Sequence, residues 1–281
     1  MKKQKKISEK NILSKIKTDL LQKNYKPTTI KSYLFYLEKY LFFLNKKKIS
    51  DENTSIKLFL KTQQKKSNQT KNLILNILSF YYKNFKKQTV SIIFFKTNTN
   101  KINTLNKKQF EKIIENTKNQ KHCLIFLLSY GSGLKISEII DIKVKNLQFE
   151  NNIITLNNKS TKENRETILP QTIKNELKRF VAFKKMNDFV FINPQNKQLS
   201  IRSVEKAFTE ALKRAKITKK ITFQSLRHSF SKEMLERGID EKQLQKILGH
   251  KNIRTTKKYK TSKPVQTLNI FSHLDQVSCE T

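Results

Sequence analysis

The chain has 281 residues, enough for one large or two modest domains, and carries a formal net charge of +37 with a pI near 10.1. Only seven of its 59 basic residues are arginine, a lysine bias that an AT-rich genome explains in part, and the remaining excess favours nucleic acid as partner. Two distant cysteines (Cys123, Cys279) argue against a disulfide framework or zinc site, and apolar runs such as 92–95 and 123–128 are too short to span a membrane.

The basic start, Met1 to Lys6, has no apolar segment behind it, so no signal peptide is expected and the protein is expected to be soluble and intracellular. Residues 11–85 read as helices. Ile12, Ile16 and Leu20 recur at helical spacing, and Lys26-Pro27-Thr28 is a start signal with Thr28 as cap. Ile30, Leu34, Leu37, Leu41 and Leu44 follow at steps of four and three, which makes one amphipathic face. A short helix at 55–62 and a longer one at 69–85 complete a four-helix unit. Periodicity is lost over 88–104, the predicted linker.

A new helix starts after Leu105, capped by Asn106 and with Phe110, Ile113 and Ile114 on one side. An apolar helix at 122–130 ends at Gly131-Ser132-Gly133, and 134–140 opens another; Cys123 reads as core. Residues 153–156 and 166–169 alternate or run β-branched around polar 157–165, which predicts a hairpin with a long tip. A helix at 172–183, a short strand at 189–192 and a helix at 203–216 come next. The stretch from Gln224 to Tyr259 then holds two helical segments, each ended by a glycine (Gly238, Gly249), and a third that carries the tyrosine. The fold class is therefore mostly α with a small β-sheet, α+β.

Arg227, His250 and Tyr259 in that last stretch form a donor fork, an imidazole and a phenol. Together they suit attack by a hydroxyl on a phosphodiester. Such a reaction needs donors for the charge on the phosphoryl oxygens and an acid for the leaving 5′ oxygen. Covalent capture by a tyrosine conserves the bond energy, so rejoining requires no ATP, metal or other cofactor. The run QSLRH, Leu248-Gly249-His250 and Tyr259 nine residues later resembles the C-terminal signature of the tyrosine recombinases, the Xer-type recombinases and phage integrases. Lys26-Pro27-Thr28-Thr29-Ile30-Lys31-Ser32-Tyr33 similarly resembles the opening of the second helix in that family's core-binding domain.

The resemblance implies that Tyr259 is the nucleophile, that Arg227 clamps the phosphate and that His250 donates to a non-bridging oxygen. Lys159 in the hairpin tip matches the lysine that protonates the leaving 5′ oxygen, with Lys162 as its competitor. His228 matches a packing or supporting position, and Glu138 looks like a buried partner for the active-site cations. Read from composition alone, Tyr259 is one of eight tyrosines and Lys159 one lysine among many in a basic chain.

Two positions depart from the family pattern. Lys135 stands where the family has its first arginine, and no arginine precedes Arg165 to replace it by a shift in register. Lysine keeps the charge and loses the planar two-pronged donor. Gln224 stands where the family has its first histidine, and glutamine donates a hydrogen bond without shuttling a proton. The organisation implied is a helical core-binding domain over 8–87, a linker over 88–104, a catalytic domain over 105–262 and a tail over 263–281 that docks in a neighbouring protomer. The implied partners are double-stranded DNA and further recombinase protomers, four on the DNA, with no membrane, in the cytoplasm at the nucleoid. The alternative is a recombinase-fold DNA-binding protein that lost turnover with the arginine, and a type IB topoisomerase is a third reading.

Overall fold

The computed structural model describes residues 2–47, 49, 51–97, 102–157 and 164–259, with backbone alone for 2–10. The chain divides into two compact units, Met1–Asn100 and Lys101–Thr281. Among the described residues no helix is long and apolar enough to cross a membrane.

The first unit is four helices: α1 (Lys2–Gln22), α2 (Pro27–Lys47), α3 (Glu52–Thr62) and α4 (Asn68–Tyr81). Thr28 is not the cap of α2. Pro27 is its first residue, where a missing N–H costs nothing, and Ile30 N already donates to Lys26 O at 3.0 Å. Asp51 and Ser67 cap α3 and α4 by accepting from Thr54 N and Thr70 N. Ile30, Leu37 and Leu41 are buried as the spacing predicts, but Tyr33 and Tyr40 join them while Leu34 and Leu44 lie at the edge. Tyr40 can sit there because its hydroxyl meets Ser55 Oγ at 2.6 Å and the Tyr82 hydroxyl at 2.7 Å. The predicted helix over 69–85 is corrected at its end, since α4 stops at Tyr81 and one π-turn, Tyr82–Lys86, follows. Across that junction the consecutive Tyr81, which closes α4, and Tyr82, which opens the wider turn, are both buried.

Residues 88–97 have no regular structure yet are fastened to this unit. Ser91 N donates to Asn53 Oδ1 at 3.0 Å. Asn72 both accepts from Phe95 N (2.8 Å) and donates to Phe95 O (2.9 Å), and Val90 and Ile92 pack on the core. On the other side of 98–101, Leu105 N donates to the buried Ser229 Oγ at 2.8 Å within the second unit.

The second unit begins with α5 (Lys107–Glu115), closed by a capping box of Asn106 and Gln109, and α6 (Gln120–Ser132), capped by Asn119. Helix α6 runs through Gly131 and ends only at Gly133, whose φ of +64° is left-handed. The space there is as restrictive as the dihedral. A Cβ on Gly133 would lie 2.7 Å from Phe230 Cε1 and 3.0 Å from Leu248 Cδ2. After α7 (Ile136–Asp141) and a 3₁₀ turn, three antiparallel strands follow: β1 (Leu147–Gln148), β2 (Ile153–Asn157) and β3 (Asn164–Ile168), in the order β1-β2-β3. The register pairs Ile154 with Thr167 and Leu156 with Arg165, so these four share the inward face. The hairpin tip, with Lys159 and Lys162, lies outside the described residues.

Helices α8 (Gln171–Val181) and α9 (Ile201–Arg214) come next. The predicted strand over 189–192 is corrected to two isolated bridges, Lys143 with Phe189 and Ile192 with Gln198, around a turn built on Asn193. The final set is α10 (Gln224–Glu236), α11 (Glu241–Leu248) and α12 (Ile253–Lys257). Helices α6 and α10 cross the main core, which gathers Phe126, Phe208, Phe223 and Leu226, and a smaller cluster of Phe230, Met234, Leu244 and Leu248 joins α10 to α11. Cys123 packs half-buried against the main core. The tail, 263–281, lies outside the described residues.

Candidate active site

Arg227 is the centre of the site. It sits in the first turns of α10 with a side chain 1% exposed, which no guanidinium tolerates without acceptors. Two of these are carbonyls freed by left-handed glycines. Arg227 Nη1 donates to Gly133 O at 2.7 Å, and Nη2 donates to Leu248 O at 2.6 Å, one residue before Gly249. The third is the carboxylate of Glu138, at 3.4 Å from Nη1. The guanidinium thus pins the ends of α6 and α11 to α10. Burial pulls it down to about 10, against the pull of Glu138, so it remains charged at neutral pH.

Glu138 is the hub. It lies one turn into α7 and reaches back to accept from Lys135 N at 2.7 Å, which satisfies one unpaired amide of the helix start. Its Oε2 also lies 2.8 Å from Arg165 Nη2, and its Oε1 lies 3.8 Å from Lys135 Nζ. Burial pushes the carboxyl up, but the charges of Arg165 and then Arg227 outweigh it and hold it below the usual carboxylate range. The reading of Glu138 as a buried partner of the site's cations is therefore matched by its contacts.

His250 follows Gly249 at the entrance to α12. Its Nδ1 lies 2.9 Å from Thr256 Oγ1, and its carbonyl accepts from Gln245 Nε2 at 2.8 Å. Burial first, then the charges of Arg227, Lys135 and Arg165, lower the imidazole to about 4, so it is neutral at pH 7. Tyr259, 6% exposed, places its hydroxyl 2.7 Å from His228 Nδ1. Burial raises the phenol above its ordinary value, and the charge of Arg227 and the hydroxyl of Ser231 oppose that rise. Burial and then Arg227 lower His228. His228 is thus a direct hydrogen-bond partner of the phenol, more than a packing residue.

Lys135 heads α7 at the edge of the site, 42% exposed. Gln224 is exposed at the first turn of α10, and its side chain makes no hydrogen bond or ion pair among the described residues. The fold therefore brings Arg227, His250, Lys135 and Glu138 together, keeps Tyr259 on the neighbouring His228, and leaves Gln224 outside the bonded cluster. Arg165 belongs to the cluster without any signal from motif spacing. Its only sequence trace is parity, since it lies two residues before the buried Thr167 on one strand.

A helical unit ahead of a mixed unit whose helices and strands bring Arg165, Arg227 and Lys135 around one carboxylate is the layout of a tyrosine recombinase, an enzyme of site-specific DNA recombination. The chain belongs to the phage integrase family: residues 103–265 match that family, and residues 12–92 match the phage integrase N-terminal SAM-like domain. It is 26% identical over 264 residues to the tyrosine recombinase XerA of Pyrococcus horikoshii, covering 92% of each chain. It is 32% identical over 158 residues to the tyrosine recombinase XerC of Staphylococcus aureus, covering 53% of this chain and 52% of that one. The fold is also that of the Tn1549 transposon integrase in complex with circular intermediate DNA, with a TM-score of 0.74 at 19% identity over 90% of this chain and 96% of the other.

Proposed function

We propose that Tyr259 is the nucleophile with which this recombinase cleaves double-stranded DNA, and that Arg227, His250, Lys135 and Lys159 act on the same phosphate. The observation that carries this reading is the convergence of Arg227, Glu138, Lys135 and His250, from helices far apart in the chain, beside a tyrosine hydroxyl held by His228.

The phenol attacks phosphorus while the bond to the 5′ oxygen breaks, and the product is a 3′-phosphotyrosine with a free 5′ hydroxyl. Neutral His228 accepts the phenol's hydrogen bond through Nδ1 and takes up its proton as attack begins. Such a base is needed because burial makes Tyr259 a weaker acid than free tyrosine. Arg227 and Lys135 stabilise the charge that spreads over the phosphoryl oxygens. His250 Nδ1 lies 2.9 Å from the Thr256 hydroxyl, and in the tautomer that accepts there the ring proton is on Nε2, ready to donate to a non-bridging oxygen. Lys159 protonates the leaving 5′ oxygen, with Lys162 in the same tip the competing candidate for that role. Gln224, exposed at the first turn of α10, has a weakened supporting role, as a hydrogen-bond donor that shuttles no proton.

Residues 8–87 act as the core-binding domain and 105–262 as the catalytic domain, which close on duplex DNA across the connector. Four protomers, of this chain alone or with a related recombinase, exchange strands, with the 263–281 tail docking in trans. The work is of Xer or integrase type, in the cytoplasm at the nucleoid. The test uses a duplex selected from a random library by the Tyr259→Phe protein and then nicked near the cleavage point. Wild type is expected to form a covalent 3′ adduct on it, and Tyr259→Phe to bind without forming one. An adduct that survives in Tyr259→Phe removes Tyr259 from its role.

A further inference from the structure

Position 135 carries an ammonium where the family pattern has a guanidinium, and the family's recombinases work on a phosphate that a planar fork suits best. The structure supplies a second fork from another place. Arg165 comes from β3, opposite the buried Leu156, and its side chain is 13% exposed. Three groups hold it. Its Nη2 lies 2.8 Å from Glu138 Oε2, the same oxygen that Arg227 Nη1 approaches at 3.4 Å. Its Nη1 donates to Ile247 O. Its Cδ and Nε lie against Gly249, where a Cβ would come within 2.5 and 2.7 Å of them.

This seat is specific to arginine. A lysine ammonium cannot reach a carboxylate on one side and a helix-end carbonyl on the other at once, whereas the guanidinium spans both. The seat also ties the parts that matter for the chemistry. Glu138 heads α7 with Lys135, and Ile247 and Gly249 set the turn that delivers His250. Arg165 Nη2 sits at ion-pair distance from the Glu138 carboxylate, and Arg227 Nε is a buried donor without a hydrogen-bond acceptor among the described residues. Two guanidinium groups, one ammonium and one carboxylate leave the cluster with a net positive charge, suited to an anion.

We infer that Arg165 is a positioning residue of the recombination reaction: it gives Glu138 the second guanidinium fork that position 135 lacks, and through Ile247 and Gly249 it sets His250 for the phosphate. This rests on the reading of the pocket given above. A substitution here changes how well the pocket is arranged and leaves the contacts to the DNA backbone in place. Outer-shell partners of this kind are worth roughly 10–100-fold in activity.

The test is single-turnover cleavage of the selected, nicked duplex by wild type, Arg165→Lys, Arg165→Gln, Lys135→Arg and the double variant Arg165→Lys/Lys135→Arg. DNA affinity and thermal midpoint are measured beside it. Arg165→Lys is expected to cleave roughly 10–100-fold more slowly with DNA affinity changed less than about threefold. Lys135→Arg is expected to restore most of that loss in the double variant, because it returns a fork to the Glu138 carboxylate from the head of α7. A merely structural role predicts no rescue, since an arginine at 135 does nothing for the Ile247 carbonyl. Wild-type cleavage by Arg165→Lys, or a loss that Lys135→Arg leaves untouched, overturns the inference. If Arg165→Lys fails to fold, Arg165→Gln in the Lys135→Arg background decides by the same comparison with Lys135→Arg alone. An adduct absent from wild type sinks the nucleophile assignment and this inference with it, whereas an adduct equal in wild type and Arg165→Lys sinks this inference alone.

Discussion

Glu138→Gln is the sharpest single test of how the site is held together. The carboxylate accepts from Lys135 N at 2.7 Å and faces Arg165 at 2.8 Å and Arg227 at 3.4 Å. Glutamine keeps the shape and one acceptor and removes the charge. Deleting one member of a buried ion pair costs roughly 3–5 kcal/mol, because the partner stays buried and uncompensated. Two features reduce this figure. The Glu138 side chain is 21% exposed, and Arg227 retains the carbonyls of Gly133 and Leu248. A loss of about 2–4 kcal/mol follows, which for a unit of this size lowers the thermal midpoint by roughly 6–12 °C.

The pH dependence gives a second check with a definite sign. The folded carboxyl titrates below its unfolded value of roughly 4.3, so its contribution is fully present above that value and is lost as pH falls through the folded one. The gap between wild type and Glu138→Gln should therefore be widest at neutral pH and close under acid. Thermal denaturation followed by circular dichroism from neutral pH to about pH 3 measures it. Equal midpoints at pH 7, or a gap that stays constant into acid, would refute the claim that Glu138 holds the cations as a charge.

Two further outcomes follow from the same geometry. Gly249→Ala places a Cβ 2.5 Å from Arg165 Cδ at a φ of +63°, and should cost about 1–3 kcal/mol in urea unfolding while slowing cleavage more than it weakens DNA binding. His250 titrates at about 4 in the fold against roughly 6.5 unfolded, so its neutral form contributes stability above that upper value which is lost as pH falls toward 4. His250→Asn should reduce the slope of the urea midpoint between neutral pH and pH 5, with His228 and His122, both also lowered by burial, contributing to what slope remains.

The sequence by itself determined whatever depends on a few neighbouring residues. Asn106 announced the start of α5, Gly249 the end of α11, and the four-and-three spacing from Ile30 much of the buried face of α2, because caps, left-handed turns and helical periodicity act within one or two turns. The spacing from Arg227 through His250 to Tyr259 was legible for the same reason, since short helices carry those side chains across small, fixed distances. Local patterns missed the π-turn at Tyr82 and the course of 88–97, which are decided by the Tyr40 hydroxyl and by the amides of Asn53 and Asn72, 23 or more residues away in the chain.

Only the tertiary structure decided what surrounds the reacting groups. A search along the chain for an arginine to replace Lys135 fails, yet Arg165 reaches the Glu138 carboxylate from a strand whose register with β2 sets its inward direction. Tyr259 meets His228 because α12 folds back on α10, and Gln224 stays outside because its turn ends at the surface. Charge is read from composition, but which charges are buried together depends on the packing of elements distant in sequence, and the low dielectric of that packing strengthens how they act on one another.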